Sequence, residues 1–396
     1  MRKYLITAII VTTIFALSCK KNDNNGSNNT QSYPAILAAF GSNIDLGNLS
    51  NYANQTRPTY ITKDNTAGNV ITNSKATLGR VLFYDKNLSY NNTIACASCH
   101  KQEFAFGDTA IQSKGVDGGL TTRHSMRLVN ARFANEAKFF WNERAATLEV
   151  QTSMPIQDHA EMGFSGTNGQ PGLSSLLTKL QQIPYYNELF QYVYGDKNVS
   201  ESRLQECLAQ FIRSIQSFDA KYDAGRAAVA NDNQNFPNFT AQENTGKNLY
   251  LTPPQFNAQG VRVAGGLGCQ GCHAAPEFDI NPNSRNNGII GIINATGIDV
   301  ANTRAPSLRD LVQTNGTLNG PMMHTANFTT LQQVIGHYGA IQIAPGNNNL
   351  DPRLRPNGVG QNLQLTAPEV NAVISFLRTL SGQNIYTDKK WSNPFL

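Results

Sequence analysis

The sequence predicts a mainly α-helical protein built from two tandem, related domains joined by long loops. Three observations predict it. Apolar residues recur at helical spacing behind recognisable start signals, strand-like alternation is scarce, and one short cysteine-histidine motif occurs twice in similar surroundings.

The helices have legible ends. Thr240-Ala241-Gln242-Glu243 and Thr366-Ala367-Pro368-Glu369 are capping boxes, in which hydroxyl and carboxylate take backbone N–H groups that a helix start leaves unpaired. Behind a Ser200 cap, Leu204, Cys207, Leu208, Phe211, Ile212, Ile215 and Phe218 predict a helix over 200–218, with Cys207 in the core. Val370, Val373, Ile374, Leu377 and Leu380 form a further apolar stripe, stopped by Gly382. Frequent Gly, Pro and Asn between these segments predict the long loops.

The repeated motif is Cys96-Ala97-Ser98-Cys99-His100, returning as Cys269-Gln270-Gly271-Cys272-His273. Two thiols separated by two residues and followed directly by histidine suit covalent c-type haem attachment. The thiols add to the haem vinyl groups, and His100 or His273 becomes the proximal iron ligand. Two covalently bound haem c groups in cytochrome c-like domains follow. A zinc site, a redox disulfide and a structural disulfide compete with this. Zinc ribbons set their cysteine pairs much closer together, and redox motifs need no histidine after the second cysteine.

The surroundings repeat too. Leu78-Gly79-Arg80-Val81-Leu82-Phe83-Tyr84 precedes the first motif and Thr245-Gly246-Lys247-Asn248-Leu249-Tyr250 the second. Trp141 through Thr147-Leu148 matches His324 through Thr330-Leu331 at one constant offset. Boundaries fall at 61–235 for the first domain and 236–396 for the second.

Ahead of them, a basic start and a short apolar run over 1–18 read as a secretory signal. Ala16-Leu17-Ser18-Cys19 resembles a bacterial lipoprotein cleavage site, which would make Cys19 a lipid anchor and the protein periplasmic or held at the cell envelope. Residues 19–60 are the tether and an N-terminal extension, polar and Asn-rich at the start. The net charge of +5 is spread without a basic cluster, which argues against nucleic acid. Past the signal no apolar run is long enough to span a bilayer.

A singly ligated haem carries electrons, binds a gas or activates peroxide according to its sixth position. Candidates for that position are His124, His159, His324 and His337, with the methionines led by Met322 and Met323. An ordered series of residues now carries a resemblance. Leu78-Gly79-Arg80, Leu82-Phe83-x-Asp85, the first motif, Ala105-Phe106-x-Asp108, Phe140-Trp141-x-x-Arg144, Leu148-Glu149-x-Gln151, Glu161-Met162, the second motif, Pro306-Ser307-Leu308-Arg309 and Pro321-Met322-Met323-His324 follow one another. The chain resembles the bacterial di-haem cytochrome c peroxidases, a family that also contains MauG-type enzymes.

The resemblance implies that peroxide is cleaved at the N-terminal haem on Cys96 and Cys99. Electrons from a small periplasmic cytochrome or cupredoxin would enter at the C-terminal haem on Cys269 and Cys272. It implies Trp141 between the haems, and Gln151 and Glu161 in the pocket where hydrogen peroxide binds. A carboxylate there can shuttle the peroxide proton and an amide can orient the molecule. The resemblance further implies an interdomain calcium and a homodimer. His124 stands where the family has asparagine, and an imidazole is a poor calcium ligand.

Two departures alter the expectation. The histidine that closes the resting peroxidatic haem in many relatives falls near Val116 here, which predicts a first haem open at rest, unless His124 reaches the iron. The methionine ligand of the second haem in high-potential relatives falls on Tyr338, as in the MauG-type branch, with Met323 and Met322 as rivals. Reduction of hydrogen peroxide is the function favoured; a MauG-type oxidation of a partner protein and a non-catalytic electron carrier are the alternatives.

Overall fold

The computed structural model describes residues 32–135, 138–280 and 283–396; the signal segment, Cys19 and the polar stretch to residue 31 lie outside them. Residues Pro34–Leu396 form one compact unit. In chain order its helices are α1 (Pro34–Phe40), α2 (Asn73–Tyr84), α3 (Cys96–Cys99), α4 (Leu148–Gln157), α5 (Leu173–Gln181), α6 (Pro184–Tyr194), α7 (Glu201–Ser214), α8 (Lys221–Ala227), α9 (Ala241–Leu251), α10 (Leu331–Gly339) and α11 (Ala367–Arg378). Two short antiparallel ribbons complete it. β1 (Pro254–Phe256) pairs with β2 (Arg262–Gly265), and β3 (His273–Ala274) pairs with β4 (Asp279–Ile280).

Two crossed helix pairs organise the unit, and the sequence repeat explains both. In α2, a β-carbon at Gly79 would lie 2.0 Å from the carbonyl oxygen of Cys207 on α7, with Phe211 Cβ close behind. In α9, a β-carbon at Gly246 would lie 1.9 Å from the carbonyl oxygen of Ala372 on α11, with Phe376 Cβ behind. Only glycine permits backbones to approach this closely. Each pair then closes over its own aromatic core: Phe83, Phe106 and Phe211 for the first, Tyr222, Tyr250, Phe278 and Phe376 for the second. Arg309, fully buried, stacks on Tyr222 and Phe278 and pairs with Asp223 at 2.9 Å.

The predicted caps form. Thr240 and Glu243 exchange hydrogen bonds at the start of α9, and Thr366 and Glu369 do so at the start of α11. Ser200 caps α7 by accepting from the Arg203 N–H. That helix stops at Ser214, four residues short of the predicted end, because the backbone N–H of Asn130 takes the Ile215 carbonyl and its side chain brackets Ser217. Ile215 remains buried through that loop packing. The repeated threonines Thr147 and Thr330 cap α4 and α10.

Segment 123–127 joins the two halves. Arg123 pairs with Asp299 at 2.5 Å and donates to Asn302, and His124 donates its backbone N–H to the His324 carbonyl at 2.8 Å. Trp141 and His324, equivalent in the repeat, meet ring to ring at 6.1 Å.

Candidate functional site

The two motifs are built alike on their proximal side. Cys96 and Cys99 lie on the single turn α3, and Cys269 and Cys272 on a 3-10 turn leading into β3. Burial pushes the Cys96 and Cys269 thiols up to about 12, and Cys99 and Cys272 to about 11. A thiol held protonated is a poor nucleophile for dithiol redox exchange, which uses the thiolate. His100 places Nδ1 3.1 Å from the Phe106 carbonyl, and His273 places Nδ1 2.9 Å from the Pro306 carbonyl. Such a bond fixes the tautomer with the proton on Nδ1 and leaves the Nε2 lone pair for iron. Burial lowers the pKa of both imidazoles, His273 to about 4, so each stays neutral. Two half-buried cysteines and a carbonyl-oriented neutral imidazole at each site fit haem c.

The distal sides differ. Around His100 lie two adjoining cavities of about 140 Å³ and 70 Å³, both lined by Gln151, Pro155 and Glu161. Gln151 projects from α4, whose position is set by the Thr147 cap. Glu161 sits on a tight loop held from two directions. Its N–H donates to Asp158 Oδ1 at 3.1 Å, and its carbonyl accepts from Val116 at 3.0 Å. The loop carrying Val116 packs so closely that a β-carbon at Gly115 would lie 1.9 Å from the Ala160 carbonyl oxygen. Burial, aided by Asp158 and opposed by Arg144, raises the Glu161 carboxyl to about 7. Arg144 lines the larger of these cavities with its guanidinium 3.6 Å from the Phe140 ring centroid.

Around His273 opens a cavity of about 660 Å³, lined by Cys269, Cys272, Tyr338, Met323 and many apolar side chains. Tyr338 comes from α10. Asn287 Nδ2 lies 3.2 Å from both Tyr338 Oη and Met323 Sδ, so the two rival ligands are neighbours on one wall. Burial pushes the Tyr338 phenol well above its ordinary pKa. Met322 turns partly into the hydrophobic core, although it also borders the cavity.

Trp141 lines both the 660 Å³ and the 140 Å³ cavities and donates Nε1 to the His124 carbonyl at 2.7 Å. His124 borders the same two cavities, and its Nδ1 is 2.9 Å from the Ala110 carbonyl. Its Nε2 is turned towards Gly320. Among the described residues no group of three His, Cys, Asp or Glu side chains is placed to hold a metal ion. His159 is exposed beside Ser165, and His337 bonds the Asn287 carbonyl. Sequence reasoning missed Asn287 and Arg127. Asn287 lies in an Asn-rich loop with no pattern to mark it.

Residues 73–231 match the family model described as di-haem cytochrome c peroxidase. The chain is 29% identical to the methylamine utilization protein MauG of Methylophilus methylotrophus over 321 residues, 79% of this chain and 84% of that protein. It is 25% identical to the cytochrome c551 peroxidase of Nitrosomonas europaea over 318 residues, 78% of this chain and 80% of that protein. Among solved structures, a MauG-like protein associated with microbial copper homeostasis superposes with a TM-score of 0.67 at 27% identity, covering 86% of this chain and 99% of its own. The di-haem peroxidase BthA of Burkholderia thailandensis shares the fold at TM-score 0.59 and 19% identity, over 85% of this chain and 92% of its own. With haem c chemistry prepared twice in one chain, its residues 73–231 match the di-haem cytochrome c peroxidase model, and the relatives it is similar to are named both MauG and cytochrome c peroxidase.

Proposed function

We propose that the protein is an exported di-haem peroxidase, anchored by lipid at Cys19, that reduces hydrogen peroxide to water with electrons from a small redox protein. The observation that carries this is the pairing of Glu161 and Gln151 over the cavities of His100, with a carboxyl raised to about 7. When bound, haem supplies the iron that takes up peroxide at the first site and passes electrons in from the second.

The chain's own residues do the rest. The Glu161 carboxylate would accept a proton from peroxide and return it to the departing oxygen, a task suited to a group titrating near neutrality. The Gln151 amide orients peroxide by hydrogen bonding. Arg144 keeps part of the Glu161 population ionised. Trp141, bordering both sites, bridges the domain of residues 61–235 and that of 236–396. Tyr338 closes the second site, with Asn287 orienting its oxygen. Val116 offers no ligand at the first, which keeps that site open at rest.

A second reading has its own support. Tyr338 in the second cavity and the likeness to MauG favour oxidation of a partner protein by way of Trp141. Electron paramagnetic resonance of the oxidised holoprotein tests the peroxidase first. A high-spin ferric signal consumed by stoichiometric peroxide, followed by turnover with a reduced small cytochrome, is the expected result. Two low-spin signals untouched by peroxide would overturn it. Peroxide consumption without turnover of any small donor would favour the MauG-type reading.

A further inference from the structure

Each proximal imidazole leans on a backbone carbonyl, and one side chain reaches the residue that follows each of those carbonyls. The Arg127 stem passes Gly107, the residue after Phe106, so closely that a β-carbon there would lie 2.8 Å from its Cγ. Its head donates from Nη2 to the carbonyl of Ser307, the residue after Pro306, at 3.1 Å. Arg127 lines both the 660 Å³ and the 140 Å³ cavities, and its Nε is buried without a hydrogen-bond partner. The group it bonds is uncharged. The acidic groups that face it are Asp310, whose carboxyl burial raises only to about 6, and Tyr386, whose phenol burial keeps neutral, and neither forms a hydrogen bond or ion pair with it. A guanidinium stays protonated in proteins, so a positive charge with no direct ion-pair partner stands beside both proximal supports.

We propose that Arg127 is a positioning residue shared by the two haems, whose charge raises both reduction potentials together and ties the two proximal carbonyl segments into one unit. The inference rests on the di-haem reading. A fixed cation in a low-dielectric interior favours the less positive, reduced iron. Groups behind an axial histidine tune the potential of its metal.

The test uses the holoprotein with both haems, measuring haem per chain by pyridine haemochrome and both midpoint potentials by spectroelectrochemistry. In Arg127→Met the reduced-to-oxidised ratio at fixed applied potential should fall on the order of tenfold at both haems, about 59 mV for a one-electron couple. Arg127→Lys keeps the charge and should stay near the parent. Gly107→Ala, at a position without positive φ, should push the stem aside and shift both potentials in the same sense by less. Unchanged potentials in Arg127→Met, or a shift at one haem alone, would overturn the proposal. If that variant does not accumulate, unchanged potentials in Gly107→Ala overturn it equally. Fewer than two haems in the parent chain would sink the di-haem reading itself, a distinguishable failure.

Discussion

At the first attachment site, His100 shares small cavities with a titratable carboxyl, an amide and a guanidinium; at the second, His273 shares a roomy, largely apolar cavity with a phenol and a thioether. On the proximal side the two are alike in one respect, a carbonyl oxygen within 3.1 Å of each Nδ1. The two sites thus orient their histidines alike, on carbonyls 6 and 33 residues downstream respectively, and differ in what stands opposite. Under the proposed function the division follows that difference: Glu161 would serve acid-base chemistry at the first site, and the second site, without such a carboxyl, would serve electron entry.

The most severe break of this comparison removes one copy. Cys96→Ala with Cys99→Ala should leave one haem per chain and no peroxide turnover, whereas peroxide turnover surviving that change would relocate the chemistry. Next in size, Glu161→Gln should lower kcat by about 10²- to 10⁴-fold with haem content and the second-haem spectrum unchanged. The pH profile sharpens that result. Because burial raises the Glu161 carboxyl to about 7, acidification protonates it and removes the base. Peroxide kcat/KM should therefore be level above pH 7 and fall about tenfold per unit below it, and the Gln variant should lose this limb.

The comparison predicts equality in one respect. Gly79→Ala and Gly246→Ala each force a methyl into a facing carbonyl, at 2.0 and 1.9 Å. Each should cost about 1–3 kcal/mol of stability, read by thermal or denaturant unfolding. A large cost at one and none at the other would mean the crossings are not equivalent. The smallest effect is expected from Tyr338→Phe, which should alter the absorption spectrum of the second haem alone; an unaltered spectrum would move the ligand to Met323.

Much of this was legible in the sequence, for reasons that are local. A capping box closes within four residues, and a cysteine pair with its histidine within five, so spacing alone exposes them. The glycine of each repeat was visible, but its reason, a helix crossing, needs residues more than a hundred positions away. The end of α7 was misjudged for the same cause: Asn130, remote in sequence, takes the Ile215 carbonyl. Tyr338 falls where high-potential relatives carry methionine, while Asn287, which touches both Tyr338 and Met323, lies in a loop of low pattern content. Arg127 adjoins a recognisable segment, yet its reach from Gly107 to Ser307 depends on tertiary placement.

The acceptors behind His100 and His273 are main-chain oxygens, and this bears on how such a protein diverges. A side-chain acceptor can be deleted by one codon change; a peptide carbonyl cannot. Mutation can shift these oxygens only by moving the chain that bears them, so the inherited variation open to selection falls on the opposite wall. Lineages that start from this scaffold are therefore free to explore new reactions without first risking the grip on the metal.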